Sequence, residues 1–184
     1  MRPLLLLAIV LVAGACSKAS RRPAEPTPGT LAVTWTGSYT GKFEAPAEGR
    51  WCPSDSLLEI TASRGDTGVG MAIFASDTIT PGSHPIIAPA VEVNWRPISM
   101  VSVRWLKDTE ILGFEGATGS VLVTQVSRGT VTGTIDWRLK VPGGVDTLIV
   151  KGRLTDVPYR AGPVPCGRVS HLPKQSALPK KSST

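Results

Sequence analysis

The chain has 184 residues, of which 41% are hydrophobic and 18% charged, with 19 Gly and 16 Pro. This length predicts one domain with flanking segments, and the composition excludes a wholly disordered chain, a collagen, a coiled coil and a polytopic membrane protein. The formal net charge of +6 lies at the two ends, because residues 30–167 carry 12 basic and 13 acidic side chains. Proteins that bind nucleic acid place basic charge on a structured face, so we predict no nucleic-acid partner.

The first fifteen residues have the proportions of a secretory signal peptide. Arg2 precedes an unbroken apolar run over residues 4–13, which is much shorter than the ~20 residues of a membrane-spanning helix. The small residues Gly14 and Ala15 follow, directly before Cys16, as at a peptidase cleavage site. We therefore predict a signal peptide over residues 1–15.

Residues 13–16, Ala-Gly-Ala-Cys, resemble the lipobox of bacterial lipoproteins, although Leu more often stands in the position of Ala13. The resemblance implies that the sulfur of Cys16 receives a diacylglycerol, that Cys16 becomes the N-terminal residue, and that fatty acyl chains such as palmitate anchor it in a membrane. In lipoproteins of bacteria with two membranes, a serine in the position of Ser17 permits transport to the outer membrane. Plain secretion is the alternative, since an ordinary peptidase cutting the same bond would leave a free thiol.

No regular structure is predicted for the two segments that flank the domain. Residues 16–30 contain three prolines and no large apolar side chain before the domain begins, and proline interrupts helices and sheets. They predict a flexible tether, in which the thirteen residues 17–29 extend roughly 40 Å in the polyproline conformation. Residues 168–184 are basic and Ser-containing without apolar periodicity, which predicts a disordered tail.

Between these segments, residues 31–167 alternate apolar and polar side chains with a period of two. Val131, Ile135, Trp137 and Leu139, for example, alternate with polar residues from Thr130 onward, a pattern typical of a half-buried strand. Gly-containing turns separate such runs. The predicted strands span residues 31–43, 56–63, 67–76, 86–95, 98–107, 109–116, 119–127, 130–141 and 145–155.

Nine short strands without a helical period predict an all-β domain, a single antiparallel β-sandwich or β-barrel. A parallel α/β fold is disfavoured because it needs helices between its strands. Glycines within strands, Gly37, Gly133 and Gly152, indicate strong coiling. Residues 35–39, Trp-Thr-Gly-Ser-Tyr, resemble the first strand of lipocalin-like barrels in bearing Gly and Trp, but in the reverse order of the Gly-x-Trp signature.

The chain has three cysteines, and an odd number in an exported protein calls for an explanation. If Cys16 is acylated, Cys52 and Cys166 remain as a pair in a compartment where disulfides persist. We predict this disulfide, which closes a loop of about 115 residues and contributes roughly 4–5 kcal/mol. Trp51 is predicted to cover the disulfide, or alternatively to be an exposed contact residue.

No residue is predicted to be catalytic or to bind a cofactor or a metal. His84 lies between Ser83 and Pro85 and is predicted to be a surface-loop residue, because a metal site needs three or four ligands. The carboxylates are scattered among turns and polar strand faces, without a pair that spacing alone would single out for glycoside hydrolysis. Arg64-Gly65-Asp66 is predicted to be a tight turn.

The sequence therefore indicates a lipid-anchored protein of the cell envelope, on the periplasmic or outer surface of the outer membrane. Its expected role is that of a binding or structural module for envelope proteins or polymers, without enzymatic activity. Two alternatives stay open. A lipocalin-like carrier of a small apolar ligand would need a large apolar cavity, and an envelope hydrolase would need a cleft with two buried carboxylates.

Overall fold

The computed structural model describes residues 28–89, 91 and 93–162. These residues form nine β-strands and one short 3-10 helix at Pro53–Asp55, so the predicted all-β fold is confirmed. The strands are β1 (Gly29–Gly37), β2 (Gly41–Cys52), β3 (Leu57–Arg64), β4 (Thr67–Phe74), β5 (Gly82–Pro85), β6 (Ile98–Lys107), β7 (Glu110–Ser127), β8 (Thr130–Lys140) and β9 (Thr147–Ala161). The predicted signal peptide, Cys16, Cys166 and the predicted disordered tail lie outside the described residues.

Eight of the strands close into a barrel, which decides between the two architectures left open by the sequence. Their order is β7-β6-β4-β3-β2-β1-β9-β8, and β8 pairs back onto β7. All these pairs are antiparallel. Closure satisfies the backbone hydrogen bonds that the edge strands of an open sheet would expose. The ninth strand, β5, pairs with β7 alongside residues 120–123.

The two ends of the barrel differ in their connections. β1 begins and β9 finishes at one end, which we call the entry end, and the long segment between β4 and β6 also lies there. At the opposite end, the turn end, consecutive strands are joined directly from β1 to β2, β3 to β4, β6 to β7 and β8 to β9. The β3–β4 turn contains Gly65 with a φ of +59°, which confirms the turn predicted at Arg64-Gly65-Asp66.

The period-two alternation places one face of every strand in the barrel interior. In β8, Val131, Ile135, Trp137 and Leu139 are at most 3% exposed, whereas Thr134 on the opposite face is exposed. This arrangement confirms the register predicted for that strand. A shift of one residue would turn the whole apolar set toward solvent.

Gly152 allows β1 and β9 to approach each other closely. It pairs with Val33 of β1, and a Cβ at this position would overlap the Ala32 carbonyl oxygen and lie 2.8 Å from the Val33 Cα. A side chain cannot be accommodated against backbone atoms at that distance. The in-strand glycine, from which the sequence predicts strong coiling, therefore marks a tight contact in the barrel wall.

The predicted strand over residues 31–43 is wrong as a single strand, because the chain bends at residues 38–40 between β1 and β2. Gly37 has a φ of +127°, and the Ser38 backbone N–H donates to the Thr147 carbonyl oxygen at 2.9 Å. The alternation continues through the bend because the Tyr39 side chain still packs against the core. The sequence pattern therefore contained no interruption at this point.

Two further strand predictions are also wrong. Residues 109–116 and 119–127 belong to one strand, β7, because the turn predicted near residue 117 is a register shift in the ladder to β8 between Gly116 and Thr118. The described residues of the range 86–95 do not form a strand. Among them, Ile86 forms an isolated bridge to Ser99, and β4 pairs directly with β6 rather than with this segment.

Candidate functional site

The turn end of the barrel is filled by an aromatic cluster. The Trp105 ring stacks on Trp35 at a centroid distance of 5.6 Å and on Phe114 at 5.2 Å. Tyr39 meets the edges of this stack, 5.7 Å from the Trp105 centroid, and the Lys107 ammonium lies 5.3 Å from the Tyr39 centroid. Offset and edge-to-face aromatic pairs of this kind stabilise a core beyond the area they bury.

Below the aromatic cluster, aliphatic side chains and one further tryptophan occupy the interior. Besides Phe114 of the aromatic cluster, the largest fully buried side chains are Trp137, Leu31, Leu58, Ile60, Ile73, Leu139, Leu148, Leu154, Val103, Val121 and Val123. These residues come from every strand of the closed ring except β2, which adds Phe43, Ala45 and Ala47 to the same continuous cluster. The inward faces of the described strands are therefore used for packing, as in small barrels whose interior is filled by side chains.

A groove on the outer wall has a strongly basic lining. It lies over β1, has a volume of about 760 Å³, and is open to solvent. We call it the basic groove. Its lining residues are Ala32, Val33, Thr34, Lys42, Phe43, Glu44, Arg64, Thr67, Lys151, Gly152 and Arg153. Four of these side chains are basic and one is acidic.

Strand register explains the shape of the basic groove. Thr34 of β1 lies between Lys42 of β2 and Lys151 of β9, and two residues along, Ala32 lies between Glu44 and Arg153. The central strand thus presents short side chains while its two neighbours present long ones on the same face. A trough results, with walls two strand spacings apart, about 9.6 Å between Cα atoms.

The cations of the basic groove are poorly compensated. Among the described residues, Lys42, Arg64 and Arg153 form no ion pair, and Lys151 lies 3.9 Å from Asp136 with both side chains 70% exposed. The Arg64 guanidinium instead donates to the Glu44 backbone carbonyl oxygen at 3.2 Å. A pair as exposed as Lys151 and Asp136 contributes little attraction, so the groove keeps a positive potential on a domain that is otherwise near neutral.

A second groove, over β4, has a different character. It has a volume of about 690 Å³ and is lined by residues of β3, β4, β6 and β7. Gly70 and Ala72 form its floor, and its charged residues are Glu59, Arg104 and Glu115. Glu59 accepts a hydrogen bond from the Arg50 guanidinium at 2.8 Å. This groove therefore has a weak net charge, and many of its lining residues are apolar.

The prediction that His84 is a surface-loop residue is wrong. His84 lies on β5 and is 3% exposed, because its partner in the ladder is the buried Val121 of β7. Neither imidazole nitrogen has a hydrogen-bond partner among the described residues. Burial lowers the pKa of His84 below its ordinary value of 6.5, against a smaller opposing influence of the Thr80 backbone. Burial therefore favours the neutral form of the imidazole. The His84 backbone carbonyl accepts a hydrogen bond from the Ser99 hydroxyl at 2.9 Å.

Within the described residues, no group of three or more His, Cys, Asp or Glu side chains is arranged to hold a metal ion. The carboxylates there lie mainly on the outer faces of strands and in turns, where solvent screens them. Asp55 and Asp66, for instance, hydrogen-bond to the hydroxyls of adjacent Ser54 and Thr67.

Of the residues predicted for lipidation and the disulfide, the structure describes Cys52. It is the last residue of β2 and 1% exposed. The adjacent Trp51 is half-buried in β2 and packs against the main core. The basic groove was not predicted, because its walls come from residues more than a hundred positions apart in the chain. The one local sign of it was the row of short residues on the outward face of β1.

No family model matches the chain, and neither a curated protein nor a solved structure matches it. In the part of the chain that the structure describes, no helix is long and apolar enough to cross a membrane.

Proposed function

We propose that this protein is a lipid-anchored envelope protein whose barrel binds its partner on the outer wall rather than carrying a ligand inside. The observation that supports this choice is the contrast between the two sides of the wall. The described inward faces pack into one hydrophobic cluster, whereas the two grooves over β1 and β4 open outward. A carrier of an apolar ligand instead needs an enclosed apolar cavity.

The position of β1 is compatible with the proposed anchor. The tether would join the barrel at Gly29, at the entry end, where β9 also finishes. An acylated Cys16 would then hold this end toward the membrane, with up to roughly 40 Å of extended chain between them. The basic groove runs along the wall rather than across the entry end, so a partner would have access to it on a tethered barrel.

The proposed disulfide between Cys52 and Cys166 gains support from the way β9 finishes. Residues 159–161 of β9 pair in parallel with residues 49–51 of β2, and the Gly162 backbone N–H donates to the Trp51 carbonyl oxygen at 3.0 Å. The chain therefore passes beside Cys52 four residues before Cys166. Four residues span at most about 14 Å, which is ample for the Cα separation of ~6 Å that a disulfide needs.

Peptide mapping without reduction tests the disulfide. Protein taken from the native envelope should give one fragment that links Cys52 to Cys166, and Cys166→Ser should lower the free energy of unfolding by up to roughly 4–5 kcal/mol. Free thiols at both positions in the native protein would show that the pairing is wrong.

Site-specific photo-crosslinking in cells tests the proposed mode of binding. A photoreactive amino acid is placed at Thr34 in the basic groove, at Thr61 beside the second groove, or at Gln125 as a control. All three side chains are exposed, and Gln125 lines neither groove. We expect a crosslinked partner from at least one groove position and none from Gln125.

Two results would contradict the proposal. A small apolar molecule that is extracted with the purified protein at one equivalent per chain would support the carrier. Equal crosslinking at Gln125 and at both groove positions would show that the wall has no preferred binding surface.

A further inference from the structure

We propose that the basic groove binds a linear acidic polysaccharide, with the polymer lying along β1. This inference deepens the proposed function, on which it rests for the idea that the outer wall is the binding surface. It adds the class of ligand, and it follows from the charge, the shape and the chemical groups of the groove.

The charge of the basic groove favours an anionic ligand. The groove gathers four basic side chains around a single carboxylate, although the sequence between residues 30 and 167 has more acidic than basic residues. Lys42 and Lys151 face each other across Thr34, and Arg153 follows on the same wall as Lys151. Like charges held this close repel one another unless an anion lies between them. An extended ligand with a negative charge on successive units would meet Lys42 and Lys151 on both walls beside Thr34, and Arg153 on the β9 wall beside Ala32, where Glu44 stands on the opposite wall.

The shape of the groove favours a single polymer chain over a flat surface such as a bilayer. The walls are about 9.6 Å apart between Cα atoms, and the outward face of β1 from Thr30 to Thr36 is roughly 20 Å long. The floor lies below the Lys42 and Lys151 side chains, since Thr34 and Ala32 are much shorter. A bilayer would contact the walls without reaching this floor, whereas one polymer chain can enter the trough.

The polar groups that line the groove distinguish a polysaccharide from a nucleic acid. The hydroxyls of Thr34 and Thr67 line the groove and donate within the protein, to the Lys151 carbonyl oxygen and the Asp66 carboxylate, which leaves their oxygens to accept hydrogen bonds from sugar hydroxyls. Proteins that bind single-stranded nucleic acid stack the bases on exposed aromatic rings. The one aromatic residue in the lining, Phe43, is 6% exposed because its ring belongs to the core, so the groove offers no stacking surface.

Binding measurements on the full chain in detergent micelles test this inference. The probes are polygalacturonate, neutral dextran and a thymidine oligonucleotide. The groove variant is Lys42→Gln with Lys151→Gln. The matched control, Arg138→Gln with Lys140→Gln, removes the same charge from two exposed residues on the outward face of β8 that do not line the groove.

We expect polygalacturonate to bind more tightly than the other two probes and to be weakened by added salt. The groove variant should lose roughly tenfold in affinity, from two exposed charge interactions of about 0.7 kcal/mol each, and the control should stay within about twofold of the unmodified chain.

Three results would overturn the inference. Equal losses in the groove variant and the control would show that the attraction is spread over the whole surface. Tighter binding of the oligonucleotide would show that the ligand class is wrong. No binding of polygalacturonate would exclude the acidic polysaccharide, and groove-specific crosslinks in cells would then still support outer-wall binding with a different ligand.

Discussion

A comparison of Gly152, which has a tight contact, with Gly70, which does not, gives a quantitative prediction. Both glycines lie inside strands, and neither has a φ in the left-handed region. A Cβ at Gly152 would lie 2.8 Å from the Val33 Cα and 2.7 Å from its Cγ1, besides overlapping the Ala32 carbonyl oxygen. At Gly70 the nearest atom would be the Ser102 hydroxyl oxygen at 3.5 Å, an ordinary contact. The same change to alanine should therefore have opposite effects.

Gly152→Ala should destabilise the barrel by about 3 kcal/mol, the upper end of the usual cost of overpacking, because backbone atoms of β1 must move away. Gly70→Ala should stabilise it by ~0.4–1 kcal/mol, because alanine reduces the conformational entropy of the unfolded chain and fits without strain. For a domain of this size, 1 kcal/mol shifts the Tm by about 4 °C. The expected shifts are therefore a fall of roughly 12 °C and a rise of about 2–4 °C.

Thermal and urea unfolding of the purified full chain, followed by far-UV circular dichroism, measures both shifts. Urea midpoints with unchanged slopes would show that stability, rather than the compactness of the unfolded state, has changed. Shifts of the same sign and size in the two variants would refute the reasoning, because a general effect of glycine replacement would then outweigh the local contact.

Three further predictions concern the core, the buried histidine and the anchor. Ile135→Asp should unfold the domain because it places a carboxyl among buried side chains. Thr134→Asp, on the exposed face, should shift the Tm only slightly. Similar Tm shifts in the two variants would contradict the register of β8. Burial lowers the pKa of His84 in the folded state, so the unfolded chain binds more protons than the folded one once the pH falls below 6.5. The free energy of unfolding therefore decreases as the pH falls from 6.5 to the folded-state pKa. His84→Leu should therefore reduce the loss of the urea midpoint between pH 7.5 and 5.5, and an unchanged loss would show that other groups cause it. Cys16→Ala should release the chain from membranes or stall its processing, and an unmodified N-terminal cysteine in the intact mass of membrane-extracted protein would refute lipidation.

Local patterns in the sequence predicted which side chains point inward. The alternation over residues 131–139 needed no knowledge of neighbouring strands, because successive side chains of any strand point to opposite faces. The same local rule failed at residues 38–40 and near residue 117. At both places the chain bends or shifts register while its side chains keep contributing to the core. The alternation of apolar and polar residues therefore continues without interruption, and it does not indicate the bend or the register shift.

Burial of His84 shows a second limit of local patterns. Its neighbours Ser83 and Pro85 are typical of a loop, and the sequence around it gave no apolar period. The side chain is buried because β5 pairs with residues 120–123 of β7, some forty residues along the chain. Conversely, Val91 and Trp95 alternate like strand residues but are exposed, and neither belongs to a strand of the structure.

The sequence by itself determined the all-β class, the inward and outward faces of most strands, and the expectation of an anchored, exported chain. Only the tertiary structure decided that the sheet closes into a barrel and that its described inward faces pack together. It also decided that Lys42 and Lys151, which are 109 residues apart in the sequence, stand on either side of Thr34. Alternation depends on the geometry of one strand, whereas a groove depends on the register between three, and register is fixed only when distant strands pair.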